Sequence, residues 1–182
     1  MKSRFSIFLA LVSILSVIPA MAANEKITPG GPLIKGYGPH FTTDQDEALD
    51  KSAVFKITFD LARQGEKDSA NRHIESLARF LNMHVAYGIP VENMHLALVV
   101  HGSATFDMLN NEAYSEKYGV DNPNHDLLAR LMENNVEVFV CGQSAGFMNV
   151  NAGDLQSGAK MSISAMTAHA LLQQQGYTLN PF

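Results

Sequence analysis

"HLALVVHG", residues 95–102, is the stretch that decides the fold, because five apolar residues follow His95 without interruption. A strand without polar alternation is typical of a parallel sheet that is covered on both faces. The segments 53–60 ("AVFKITFD") and 136–141 ("VEVFVC") are predicted to be further strands. Between them, apolar residues recur at helical spacing in 74–85 and in 122–135.

Strands and helices that alternate along a chain predict an α/β fold. We therefore expect a three-layer sandwich with a mainly parallel sheet of four to five strands and helices on both faces. A short strand at 160–164 and a possible last one at 177–179 complete this sheet. Residues 53–182 are predicted to form a single domain, preceded by an irregular arm, 23–52, that is rich in Gly, Pro and Asp.

The N-terminus has the three-part pattern of a secretory signal peptide. Lys2 and Arg4 precede an apolar run, and "AMA" at 20–22 supplies small residues before a cleavage point. The alternative is a retained membrane anchor, but the run from Phe5 to Ile18 is shorter than the roughly 20 residues that span a bilayer. We therefore predict that residues 1–22 are removed and that the protein is exported, with a periplasmic location in a host with two membranes.

Charge and histidine spacing exclude several classes of partner. Without Lys2 and Arg4, 11 of the 13 basic residues remain against 18 acidic ones, a net charge of −7. An acidic chain without a basic run predicts no binding to nucleic acid or, after signal cleavage, to a membrane. His95 and His101 lie roughly 20 Å apart on one strand, and the other histidines lack ligand spacing. We predict no metal site and no other cofactor.

Cys141, the only cysteine of the sequence, closes the strand 136–141. A single cysteine cannot form an internal disulfide, so it is either a buried inert residue or a reactive thiol. His101 closes the strand 95–102 in the same way, and ligands of parallel sheets bind at the carboxyl ends of strands. Spacing alone does not decide whether His101 and Cys141 share one crevice.

Each of these two residues is followed by a glycine, Gly102 or Gly142, which permits a sharp turn or the close approach of a ligand. If a helix begins after Cys141, the backbone amides of Gly142, Gln143 and Ser144 point toward the sulfur. A helix N-terminus and a nearby imidazolium both favour a thiolate over a thiol. The candidate substrate-binding residues are therefore Gly102, Gly142, Gln143 and Ser144.

Five motifs occur in a fixed order: "KGYGP", "VVHGSA", "NPNHDLL", "VFVCGQSA" and "SAMTAHALLQQQGY". Together, from about residue 33 to the end, the chain resembles the exported branch of the DsrE/DsrF-like family. The resemblance implies an α/β sandwich, symmetric homo-oligomers that are often trimers or hexamers, and Cys141 as the residue that carries sulfur as a persulfide. Relay members often follow this cysteine with a basic residue and glycine, whereas this chain has "CGQSAGFMN".

Two functions from different classes follow. The first is a persulfide carrier or sulfurtransferase-like protein, with Cys141 as acceptor, His101 as its acid/base or electrostatic partner, and an unidentified sulfane-sulfur donor or acceptor. The second is a non-catalytic, oligomeric module that binds a small ligand or a partner and in which Cys141 is structural. A peroxide-type redox sensor is less favoured, because it requires a resolving cysteine that only another subunit could supply.

Overall fold

A computed structural model describes residues 27–180. The predicted signal peptide, 1–22, lies outside the described residues. Within them the strands are β1 (Ile27–Thr28), β2 (His40–Phe41), β3 (Phe55–Leu61), β4 (Met94–Val100), β5 (Glu137–Cys141), β6 (Lys160–Ser162) and β7 (Thr178–Asn180). The α-helices are α1 (Arg72–Ala86), α2 (Asn111–Tyr118), α3 (His125–Glu133), α4 (Gly142–Phe147) and α5 (Ala165–Gln174).

The main sheet has the strand order β6-β5-β4-β3-β7, and every pair in it is parallel. β4 is the middle strand, which explains why its apolar run needs no polar alternation. Leu96, Leu98 and Val100 pack into the larger core, with α1 and α3, whereas Ala97 and Val99 pack on the opposite face, against α5. The predicted α/β sandwich, with a parallel sheet of five strands and helices on both faces, is confirmed.

The N-terminus of α1 is fixed by a cap residue that bonds to another part of the chain. The cap is Asn71, whose side chain accepts a hydrogen bond from the backbone N–H of His73 at 2.9 Å. The backbone N–H of Asn71 donates in turn to Asn124 Oδ1 at 2.7 Å. The cap position is therefore selected by a buried contact with the segment before α3, which local sequence does not reveal.

The arm before β3 contains regular structure and is bonded to the domain. β1 and β2 form a small antiparallel sheet. Asn82, fully buried on α1, accepts from the backbone N–H of Ile34 at 2.7 Å and donates to the carbonyls of Ile34 and Tyr37. One amide side chain thus satisfies several backbone groups of the arm, which explains why a polar residue occupies the core face of α1.

No helix within residues 27–180 combines the length and the hydropathy that a membrane span requires. The segment after β4 forms a 3₁₀ turn, Gly102–Met108, followed by α2.

Candidate functional site

β4 and β5 are hydrogen-bonded neighbours, with Val100 paired to Val140. The next residues, His101 and Cys141, therefore stand side by side at the carboxyl edge of the sheet, on strands about 4.8 Å apart. The helix α4 begins directly after Cys141, as the polar and small residues there predicted. This edge of a parallel sheet is where ligands bind in open α/β folds.

Both side chains belong to the face of the sheet that α5 covers. Val99 and Phe139 pack with α5, and side chains alternate between faces along a strand, so the positions two residues later return to the same face. The contacts agree: His101 bonds to Asp60, which also bonds to a residue of α5, and Cys141 accepts a hydrogen bond from the backbone of Ala165, the first residue of α5.

The Cys141 side chain lies where two helices begin, and the residue is only 5% exposed. Burial raises the pKa of its thiol, and this desolvation is the largest single effect. The Ser144 hydroxyl and the backbone amides of Ser144, Ala165 and Gln143 all hydrogen-bond to the sulfur and lower the pKa. Together these bonds outweigh desolvation and hold the pKa of Cys141 below its ordinary value, so the thiolate is more stable here than in a free cysteine.

Ser144 connects the two strand ends. Its Oγ accepts a hydrogen bond from the backbone N–H of Gly102 at 2.9 Å, which leaves the hydroxyl proton for the sulfur of Cys141. Gly102 adopts a positive φ of 54°, and a Cβ at this position would lie 2.7 Å from the carbonyl oxygen of Ala62. A glycine at 102 is therefore required for the turn that aims this N–H at Ser144.

Gly142 permits a close approach of backbone. A Cβ on it would lie 2.6 Å from the carbonyl oxygen of Ser162 and 3.3 Å from that of Ile163. The connection from β6 to α5 thus packs directly on the start of α4, and Gln143 Nε2 donates to the Ile163 carbonyl across this contact at 3.2 Å. Because Gly142 has no side chain, this connection packs closely enough for the Ala165 amide to reach Cys141.

His101 is bonded to a carboxylate on the other neighbouring strand. Its Nε2 lies 3.1 Å from Asp60 Oδ2, and Nε2 of His169 on α5 lies 2.8 Å from Asp60 Oδ1. Burial raises the pKa of Asp60, but the hydrogen bonds and charges of His169 and His101 bring it below its usual value. This contact directs Nε2 of His101 toward β3, while the residue itself remains next to Cys141 of β5 in the register of the sheet.

Sequence reasoning did not select Asp60 or His169. His169 lies within α5, and Asp60 lies on the polar face of the alternating segment 53–60. That polar face was the available signal, because Thr58 on it is fully buried beside α5: Thr58 Oγ1 lies 3.4 Å from His169 Nδ1.

Large apolar side chains are exposed on the elements around Cys141. Phe147 at the end of α4, Ile163 before α5 and Met166 in its first turn are 89%, 74% and 80% exposed. Ile163 lies against α4 through its carbonyl, which accepts from Gln143. We call these three residues the apolar rim. It carries no charged side chain.

The described residues, 27–180, contain no group of histidine, cysteine and acidic side chains arranged to hold a metal ion. Two cavities of this part of the chain are not lined by Cys141. One of about 490 Å³ has walls from the segments 106–117 and 148–154. A second, of about 280 Å³, lies between residues 63 and 73, at the start of α1.

The family model described as the DsrE/DsrF-like family matches residues 54–181. Among solved structures, the protein of unknown function MTH1491 from Methanobacterium thermoautotrophicum is similar, with a TM-score of 0.53, 12% identity, and coverage of 69% of this chain and 97% of that one. The ychN protein from E. coli has 19% identity and a TM-score of 0.45, over 69% of this chain and 100% of that one. No curated protein matches. The first likeness supports the fold, and the family match extends from the first strand of the main sheet to the last: the chain belongs to the DsrE/DsrF-like family.

Proposed function

We propose that this protein carries sulfane sulfur as a persulfide on Cys141, in periplasmic sulfur metabolism. Its membership of a sulfur-relay family supports this proposal. The observation that carries it is the set of donors around the sulfur: the Ser144 hydroxyl and three backbone amides, two of them from α4 and one from α5. A lowered pKa raises the fraction of thiolate, which is the nucleophilic form of cysteine.

The chemistry requires no oxidant or reductant. The Cys141 thiolate attacks the outer sulfur of a persulfide donor, R–S–SH, so that a new S–S bond forms while the S–S bond of the donor breaks. The leaving thiolate takes up a proton and departs as R–SH. The amides and the hydroxyl that stabilise the thiolate also favour an anionic persulfide at the same position.

The residues around Cys141 have distinct proposed roles. His101 acts as the acid/base or electrostatic partner. Gln143 and Ser144 bind the anionic sulfur, and Gly102 and Gly142 support this arrangement, because their missing side chains permit the close contacts described above.

The location and the assembly belong to the same proposal. The protein is exported through the cleaved segment 1–22 and meets a sulfane-sulfur donor or acceptor there. We further propose that it is a homo-oligomer, a trimer or a hexamer. The exposure of the apolar rim supports this assembly, because exposed apolar patches mark interaction sites. Light scattering that finds only monomer at micromolar concentration would contradict it.

The second candidate is a non-catalytic binding module with a structural cysteine. Two observations favour it: the 5% exposure of Cys141 and the position of the two cavities described above, neither of which Cys141 lines. In that case the sulfur would be shielded, and the hydrogen bonds around it would serve only to satisfy a buried polar atom.

Intact mass spectrometry distinguishes these functions. The purified protein is incubated with a sulfane-sulfur donor such as glutathione persulfide, desalted and measured, with Cys141→Ser as the control. We expect the addition of one or more sulfur atoms to the wild type and none to the control. A wild type that gains no sulfur, and that a small alkylating reagent does not modify at any pH, would support the binding module instead.

A further inference from the structure

A carboxylate held between two imidazoles lies on the same sheet face as Cys141. Asp60 Oδ2 lies 3.1 Å from Nε2 of His101, and Asp60 Oδ1 lies 2.8 Å from Nε2 of His169. An ionised carboxylate can only accept hydrogen bonds, so each ring must donate the proton on its Nε2. The pair of contacts therefore specifies the tautomer of both histidines.

In a neutral ring with its proton on Nε2, the lone pair resides on Nδ1. His169 uses this atom as an acceptor, because Thr58 Oγ1 lies 3.4 Å from it. The Nδ1 of His101 has no hydrogen-bonding partner among residues 27–180. The His101 side chain is also the more exposed of the two, at 34% against 16% for His169. His101 is thus the ring with a basic nitrogen open to a reactant.

We propose that Asp60 and His169 are positioning residues for sulfur transfer: Asp60 holds His101 in the tautomer whose Nδ1 exchanges a proton beside Cys141, and His169 anchors the second oxygen of Asp60. This inference rests on the proposed function of Cys141. The two residues lie 109 positions apart in the chain. Both act through His101 and not by contact with the sulfur.

The step balances with a single proton. As the Cys141 thiolate attacks the outer sulfur of R–S–SH, Nδ1 of His101 takes the proton of that sulfur. The imidazolium that forms transiently is stabilised by the Asp60 carboxylate, in the way that a buried aspartate stabilises the histidine of a catalytic triad. His101 then returns the proton to the leaving thiolate, which departs as R–SH and leaves an anionic persulfide on Cys141. The other titratable groups on this face of the sheet are Asp60, His169 and Cys141 near the carboxyl edge. Further along the strands are Lys56, His95, Glu137 and Lys160.

The tautomers can be tested without any sulfur chemistry. We would record the ¹⁵N and ¹³C shifts of the histidine rings in labelled protein, at a pH where the rings are neutral. We expect both His101 and His169 to be protonated on Nε2. In Asp60→Asn one accepting oxygen becomes a donating NH₂ group of the same size, so one of the two rings should change tautomer. A wild type in which His101 carries its proton on Nδ1 would overturn the inference.

The kinetic test measures single-turnover transfer from glutathione persulfide to Cys141. We expect Asp60→Asn to slow transfer by about 10²-fold, the lower end of the contribution of a positioned acid/base group, and His169→Gln to slow it less. Asp60→Glu, which keeps two accepting oxygens, should recover part of the rate. Glu137→Gln is the matched control, because it removes a β5 carboxylate that pairs with Lys160 instead.

Alkylation of Cys141 by iodoacetamide separates positioning from damage, since this reaction needs the thiolate but no proton exchange. We expect Asp60→Asn to be alkylated at close to the wild-type rate. If the wild type accepts sulfur and Asp60→Asn accepts it equally fast, the inference is wrong and the proposed function stands. If the wild type accepts no sulfur, both fail. If Asp60→Asn does not fold, His169→Gln decides: transfer at the wild-type rate with an unchanged His101 tautomer refutes the anchoring role.

Discussion

The Ser144 hydroxyl provides the most direct test of how the fold activates Cys141. In Ser144→Ala the sulfur loses one of its hydrogen bonds. The Gly102 N–H, which donates to Ser144 Oγ at 2.9 Å, loses its acceptor. The amides of Gln143, Ser144 and Ala165 remain. We therefore expect a weaker stabilisation of the thiolate, and not its complete loss.

The magnitude follows from the burial of the sulfur. A hydrogen bond to a charged group contributes about 1.5–3 kcal/mol, and at 5% exposure water can replace little of it. Because about 1.4 kcal/mol corresponds to a factor of ten in an equilibrium, the thiolate fraction at a pH below the pKa should fall by roughly ten- to a hundred-fold. The unpaired Gly102 N–H should also lower the free energy of unfolding by about 1–2 kcal/mol, because the group is only partly buried.

The assay is the rate of iodoacetamide alkylation of Cys141 as a function of pH. Below the pKa the rate is proportional to the thiolate fraction, so Ser144→Ala should react roughly ten- to a hundred-fold more slowly than the wild type. At a pH where both proteins are fully ionised the two rates should converge. Ser103→Ala is the matched control: its hydroxyl accepts from the backbone N–H of Gln64 at 3.1 Å, in the loop beside Cys141, but it is not among the donors to the sulfur.

Equal alkylation profiles for Ser144→Ala and the wild type would refute the assignment of Ser144 as a thiolate donor. A slower reaction at every pH, with an unchanged midpoint, would show that the substitution altered access to the sulfur and left its ionisation unchanged. Either result would also weaken the argument that the donors around Cys141 poise it for sulfur transfer.

Three further predictions concern the elements that support the site. Gly102→Ala should lower the free energy of unfolding in urea by about 1–3 kcal/mol, since it combines a left-handed φ with a contact to the Ala62 carbonyl, and an unchanged midpoint would contradict the strain. Because the pKa of Asp60 is lowered, its carboxylate should stabilise the fold above the ordinary carboxyl pKa of about 3.9, and this stabilisation should be lost as pH falls through the folded-state pKa. The free energy of unfolding of Asp60→Asn should therefore decline less steeply in acid than that of the wild type, and parallel curves would argue against it. Asn82→Ala should release the arm before β3, because it removes the bonds to Ile34, and limited proteolysis should then cut that arm faster than in the wild type; equal cutting rates would mean that other contacts hold it.

Local sequence determined most of the architecture. The uninterrupted apolar run in β4 could only be satisfied in the middle of a covered parallel sheet, and helical and strand periodicities located the remaining elements. The ends of β4 and β5 placed His101 and Cys141 at the same edge, because parallel strands finish together. The turn from β5 into α4 was visible as well, since a glycine and short polar residues follow the cysteine directly. All of these properties depend on residues close to one another in the chain.

Tertiary structure alone decided what surrounds the sulfur. The Ala165 amide reaches Cys141 because β6 pairs with β5 and its connection to α5 crosses Gly142. Asp60 meets His101 from the next strand and His169 from a helix more than 100 residues away. No periodicity reports such contacts, because they depend on which strands are neighbours and on where a helix crosses the sheet. Whether a strand-end cysteine is an inert apolar residue or a stabilised thiolate is set by the donors that point at it, and those donors come together only when the chain has folded.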